Sequence, residues 1–222
     1  MSMRAARSAL GLGLLLTLLA VPARKAAAQV TFDLWPSIGG YFPLNEFDRE
    51  LAEFPGSQAG QGTQGAGLAF GVGGTVWLNS RFGIGVNLAT AGSGVTYSYA
   101  IDGDQKQDAR VSFYGAELMV RVSGDSPKHG AYVALGPTIV DRSGEAFQGL
   151  SRSSSVAGSL SFGSYYRIAQ GVRLRGELAG LLYRMQLEGG TGYTYPPSTQ
   201  FDALMRLGVA IDPSGLSSDG AR

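Results

Sequence analysis

The sequence predicts an all-β chain: eight antiparallel strands that run up and down and close into a transmembrane β-barrel, with short periplasmic turns and longer extracellular loops. Three observations carry that expectation. The chain opens on an export leader, eight segments alternate residue character with period two, and the connections between them are long and short by turns.

The leader reads "MSMRAARSALGLGLLLTLLAVPARKAAAQ". Arg4 and Arg7 precede an apolar run from Ala9 to Val21, and small residues follow at Ala26, Ala27 and Ala28. Charge, apolar run and small residues in that order make a secretory signal peptide. An uncleaved anchor is the alternative, but the run is shorter than the ~20 residues a spanning helix needs. Cleavage is expected between Ala28 and Gln29. The chain then divides into a signal peptide (1–28), a barrel (29–212) and a short C-terminal tail (213–222). Removing four basic residues turns 18 basic against 17 acidic into 14 against 17, so no basic balance points to nucleic acid. Thirty-four glycines oppose a helical bundle. The absence of cysteine excludes disulfides, thiolate metal sites and thiol catalysis.

The period-two segments are expected at residues 30–41, 65–78, 82–97, 111–122, 131–140, 153–167, 172–184 and 200–211. The seventh, "VRLRGELAGLLYR", shows the pattern best. Val172, Leu174, Gly176, Leu178, Gly180 and Leu182 share one face, and Arg173, Arg175 and Glu177 begin the other. The connections after segments one, three, five and seven are long ("SYAIDGDQKQDAR" is the third), whereas those after two, four and six are shorter, down to "NSR" and "IAQG". A meander with unequal ends is what an outer-membrane barrel requires.

Which face is inside depends on the solvent. A soluble sandwich would bury Val172, Leu174 and Leu178 and leave Arg173, Arg175 and Glu177 in water. A membrane barrel inverts this, with apolar side chains toward lipid and charged ones in the lumen. The leader, the alternating connections and the Gly, Ser and Thr on the polar face favour inversion, as does the lack of lysine within the segments.

The hairpin "GSYYRIAQGVRLRGELAG" and the strand "AYVALGPTIV" resemble the small bacterial outer-membrane barrels, the OmpA-, OmpX- and OmpW-like group. The resemblance runs over about Val30 to Ile211 and implies the envelope of a Gram-negative-type bacterium. The last strand departs from that group, ending "LGVAID" rather than on the aromatic residue by which such strands are recognised for insertion.

Some barrels of this group are enzymes that use a histidine near the outer rim. The single histidine, His129 in "GDSPKHG", is expected on the periplasmic side, too far from such a rim to act as a general base. Glu117 and Glu177 are an acid–base pair only if no cation neutralises them. With Arg121, Arg175 and Arg206 on the same face, structural pairing is the favoured reading. Asp102, Asp104 and Asp108 give a faint echo of a calcium loop but lack its twelfth-position Glu. The glycines of "GLAFGVGG" lie in a strand with no following helix to receive a phosphate. Tyr41, Tyr99, Tyr183, Tyr193 and Tyr195 suggest an aromatic girdle at the outer interface, with a carbohydrate- or protein-binding rim as the alternative. Trp77 faces the lumen by parity, near the periplasmic turn.

The sequence thus predicts a monomer in outer-membrane lipid, with no enzyme activity, cofactor, metal or nucleic-acid partner. Its lumen is expected to hold a charge network of Asp33, Glu117, Arg121, Arg173, Arg175, Glu177 and Arg206, with Arg206 between the two glutamates. The expected role is structural, or an interaction with an extracellular or envelope partner through the outer loops. The alternative is a narrow channel or conduit for small or hydrophobic solutes.

Overall fold

The structure is a computed structural model that describes residues 30–45, 60–99, 103–122, 128–189 and 197–213. The signal segment, with its expected cleavage at Ala28 and Gln29, lies outside the described residues, as do Asp102, Tyr193, Tyr195 and nearly all of the tail.

Among the described residues the strands are, in chain order, β1 (Thr31–Pro43), β2 (Gly60–Gln64), β3 (Gly67–Trp77), β4 (Phe82–Tyr99), β5 (Gly103–Arg121), β6 (His129–Ser143), β7 (Leu150–Arg152), β8 (Ser154–Ala169), β9 (Val172–Met185), β10 (Glu188–Gly189) and β11 (Ser198–Ile211). β2 and β3 both pair with β4 and together make one stave. β7 and β10 form a separate two-stranded ribbon. The remaining staves are all antiparallel, and β1 pairs with β3 on one side and β11 on the other. That last pairing closes an eight-stave barrel, so that no stave of the belt is an edge strand.

Partner residues trace the closure. From Phe32 the row passes through Val76, Ile84, Leu118, Leu135, Leu160, Gly180 and Ala203, and returns to β1 at Phe42, ten residues along. Eight strands with that stagger enclose an interior just wide enough for side chains to fill. This row lies on the outside. Leu118, Leu135 and Val156 are 67%, 63% and 70% exposed, and they belong to a belt of outward Leu, Ile, Val and Phe that includes all eight staves. Apolar surface on this scale is not stable against water. It is the belt that a β-barrel turns toward lipid.

The turns at one end are short because their residues supply the turn chemistry. Between β3 and β4 the Asn79 side-chain oxygen accepts from the backbone N–H groups of Arg81 and Phe82, at 2.8 and 2.7 Å. Between β8 and β9 only Gln170 and Gly171 remain, and Gly171 takes a φ of 70°.

At the other end the structure corrects the expected boundaries. "GDQKQDAR" is not a loop: β5 starts at Gly103 and pairs with β4 up to Tyr99, so Asp104 and Asp108 lie on a tall hairpin rather than in a calcium-type loop. β6 likewise continues to Ser143, carrying Arg142 into the barrel. Period-two apolarity marks a strand only where one face meets lipid, and above the belt the ladder continues without that signal.

Candidate functional site

The lumen is built by alternation. Every inward residue of β9 is odd-numbered, so Arg173, Arg175, Glu177, Ala179, Leu181, Tyr183 and Met185 form one column from the short-turn end upward. The seven columns around it divide into two tiers, polar below and largely apolar above.

At the base, Arg173 Nη1 donates to both oxygens of Asp33 at 3.0 Å, and Trp77 Nε1 donates to the same carboxylate at 3.1 Å. Arg173 also lies 4.0 Å from Asp212. The Arg121 guanidinium stacks 3.9 Å from the Trp77 ring and donates to the Ser80 carbonyl at 3.2 Å. Trp77 therefore fills the floor of the barrel.

Glu177 is the hub of the next level. It pairs with Arg206 across the β9–β11 ladder, where the two residues are direct partners. Its other oxygen accepts from Arg175 Nη2 at 3.0 Å and from the Tyr132 hydroxyl at 2.6 Å. Arg175 also donates to Tyr132 and, across the lumen, to Thr75 Oγ1 at 2.9 Å. Its guanidinium sits between the rings of Trp35 and Tyr132, at 4.0 and 4.7 Å, a cation–π clamp. Glycine makes room for these rings. A Cβ on Gly73 would lie 1.9 Å from Trp35 Nε1, and one on Gly163 would lie 2.0 Å from the Tyr132 ring.

Glu117 stands apart from this hub. Its oxygens accept from Asn87 Nδ2 at 2.8 Å and Ser161 Oγ at 2.9 Å, and it has no ion pair among the described residues. The expected arrangement of Arg206 between two glutamates is thus replaced by Glu177 between two arginines. The reason is position: β5 is on the wall opposite β11, and Arg206 is already committed to Glu177 and to the Trp35 ring at 4.6 Å. Arg121 sits on Trp77 at the base rather than with the glutamates. Asp33 and Arg173 join each other one level below.

Above Ala179 the interior changes. Tyr41, Phe113, Val111, Val140, Leu181 and Leu204 belong to one buried apolar cluster. Embedded in it is a second polar group that sequence reasoning missed. Asp202 accepts from Tyr41 at 3.1 Å and Tyr183 at 2.5 Å and lies 3.5 Å from Arg142, which also contacts the Tyr183 hydroxyl. Tyr41 and Tyr183 are therefore inside, not in an outer aromatic girdle. Parity carried that signal, because each shares its strand face with lumenal residues. Arg142 carried none, falling after the last apolar alternation of its segment.

At the long-loop end the apolar cluster gains Ala146 and Phe147. A single 3₁₀ turn, Glu145–Phe147, buries Ala146 and Phe147, and the Tyr97 hydroxyl donates to the Ala146 carbonyl at 3.0 Å. His129 is exposed at the opposite, short-turn end, paired in the ladder with Tyr166.

No protein-family model matches the chain, and no curated protein matches it. Solved structures do. The outer membrane protein OprG from Pseudomonas aeruginosa is similar over 85% of this chain and 99% of its own, at 14% identity and a TM-score of 0.58. The E. coli outer membrane protein W is 15% identical over 84% of this chain and 100% of its own, with a TM-score of 0.46. Neisserial surface protein A is 14% identical over 81% and 96%, with a TM-score of 0.45. With the closed eight-stave ladder and its apolar belt, the likeness to OprG gives this chain the fold of the small bacterial outer-membrane β-barrels.

Proposed function

We propose that the chain is an exported, monomeric outer-membrane barrel whose lumen is closed by its own side chains. In this reading it has no enzyme activity and acts through its outer surface and its long-loop end. The observation that supports this best is the Arg175–Glu177–Arg206 level. Its side chains are at most 4% exposed, and through Thr75 and Tyr132 they reach β3 and β6 as well as β9 and β11. The Tyr41–Asp202–Arg142 group and the apolar cluster that includes Phe147 stand above it.

Two measurements test the reading. The detergent-extracted protein should migrate faster before boiling than after, and in a planar bilayer it should show no steady single-channel current. Leu178→Arg, on the outer face near mid-belt, should cost about 2–4 kcal/mol if that face meets lipid. A steady conductance in the unaltered protein would end the closed-lumen reading, and free acceptance of Leu178→Arg would end the membrane reading.

The second reading is a conduit for hydrophobic solutes. It draws on the apolar upper tier, which is wide in surface chemistry but filled by Tyr41, Phe113 and Leu181. Entry of an apolar dye into protein-loaded vesicles, faster than into empty ones, would favour it.

A further inference from the structure

The outer wall of the barrel carries a groove of about 780 Å³ where the apolar belt ends on the β4–β5 hairpin. The belt stops there at the partner pair Leu88–Tyr114. The next outward pair, Thr90 and Ser112, is joined by a hydroxyl bond at 3.4 Å. Above it come Gly92 opposite Arg110 and Gly94 opposite Asp108, and these form the floor of the groove. The two glycines leave that floor flat: a Cβ on Gly92 would meet nothing within 4 Å, and one on Gly94 only the Gln107 carbonyl at 3.8 Å.

The rims are fixed by the fold. On one side the junction of β2 and β3 is pinned to β4, with Gly65 N–H donating to the Gly94 carbonyl at 2.8 Å and Ser93 Oγ donating to the Gly65 carbonyl at 2.7 Å. On the other, Gly144 packs on the β5 backbone so closely that a Cβ would lie 2.7 Å from the Asp108 carbonyl. Arg110 and Asp108 are exposed and form no ion pair among the described residues.

We propose that this groove holds the headgroup of a phosphorylated, acylated sugar lipid of the outer leaflet. The proposal rests on the outer-membrane reading above, which puts the long-loop end of the belt at that leaflet. The Arg110 guanidinium takes the phosphate, the geometry for which arginine is suited. Asp108, on the same face two residues away, accepts from sugar hydroxyl or amide donors, and the glycine floor receives the flat face of the ring. A free carboxylate beside a free guanidinium disfavours a bare phosphate and favours a headgroup that carries both an anion and donors. The acyl chains then run down the apolar belt below Leu88 and Tyr114.

The test uses the full folded protein in detergent micelles and native mass spectrometry. The probe is a diphosphorylated, acylated glucosamine disaccharide, with its dephosphorylated form, phosphatidylglycerol and inorganic phosphate as separate arms. The diphosphorylated probe should be retained best. Arg110→Gln should reduce its retention about tenfold, as loss of a charge-assisted bidentate contact implies. Gly94→Trp, which fills the groove from an open position, should reduce it as much. Arg184→Gln, an outward arginine just above Leu182 that does not line this groove, should leave retention unchanged. All three variants should keep the fast-migrating unboiled band, so folding is read separately from binding. Equal retention by Arg110→Gln and the unaltered protein overturns the site, and equal retention of phosphatidylglycerol overturns the sugar assignment. Because the measurement is made in micelles, its failure is distinct from failure of the outer-membrane reading, which cell fractionation decides.

Discussion

The two tiers of the lumen are filled by different means, although the same eight staves build both. The lower tier is filled by charged groups: Arg175, Glu177 and Arg206 interlock, with Asp33 and Arg173 below them. The upper tier is filled by packing, and the Arg142–Asp202 ion pair within it is surrounded by apolar side chains and two tyrosine hydroxyls. Removing one partner of a buried pair leaves the other charged and unsolvated, whereas trimming a packed tier leaves a gap that neighbours partly fill. The lower tier should therefore fail in an all-or-none way and draw in water, and the upper tier should lose stability gradually while remaining shut.

The largest effect should come from Glu177→Ala. It strands two buried guanidinium groups and removes the acceptor of the Tyr132 hydroxyl, so a loss of about 3–5 kcal/mol is expected. The temperature at which the unboiled band disappears should fall, and ion leakage through a bilayer should rise with it. If Glu177→Ala is as stable and as silent as the unaltered protein, charge does not close the lower tier, and the contrast between the tiers collapses.

In the upper tier, Tyr41→Phe removes one hydroxyl that donates to Asp202 but keeps the ring against Phe113, 5.5 Å away between centroids. A hydrogen bond to a charged acceptor contributes about 1.5–3 kcal/mol, so stability should drop by that amount. Leakage should not change, because the ring still fills the space. Leakage on Tyr41→Phe would show that polar contacts close this tier too.

How much of this was legible in the sequence follows from how each feature is encoded. Strand parity is local, so the inward direction of Asp33, Arg173, Arg175, Glu177 and Arg206 could be read from alternation alone. The Glu177–Arg206 pair was legible as well, since neighbouring strands joined by known ends place equal counts at equal height. Pairing across the lumen is a different matter. Glu117 reaches the right level on the wrong wall, and whether it meets Arg206 depends on what the intervening Trp35, Asn87 and Ser161 do. Arg142 and the start of β5 were not legible because alternation fades once a strand rises above the belt. The groove on the β4–β5 hairpin was hidden for the same reason: Gly92 and Gly94 fall in an expected strand, but Asp108 and Arg110 look like loop residues until the ladder pairs them with those glycines.

The smallest expected effect locates the boundary between the tiers. Ala179 lies on the β9 column between Glu177 below and Leu181 above, and its ladder partner is Ser161, whose hydroxyl donates to Glu117. A serine at 179 would place a second hydroxyl beside that one, within a level that already supplies polar partners. Its desolvation should then be offset by a new hydrogen bond, and Ala179→Ser should change stability by less than about 1 kcal/mol. A hydroxyl that finds no partner in an apolar site costs about 1–3 kcal/mol instead. Thermal stability of this one variant, measured by the unboiled band, separates the two cases. A loss in the larger range would place Ala179 in the packed tier and make Glu177 the top of the charged one, so that the divide falls one inward position lower on β9 than Ser161 implies.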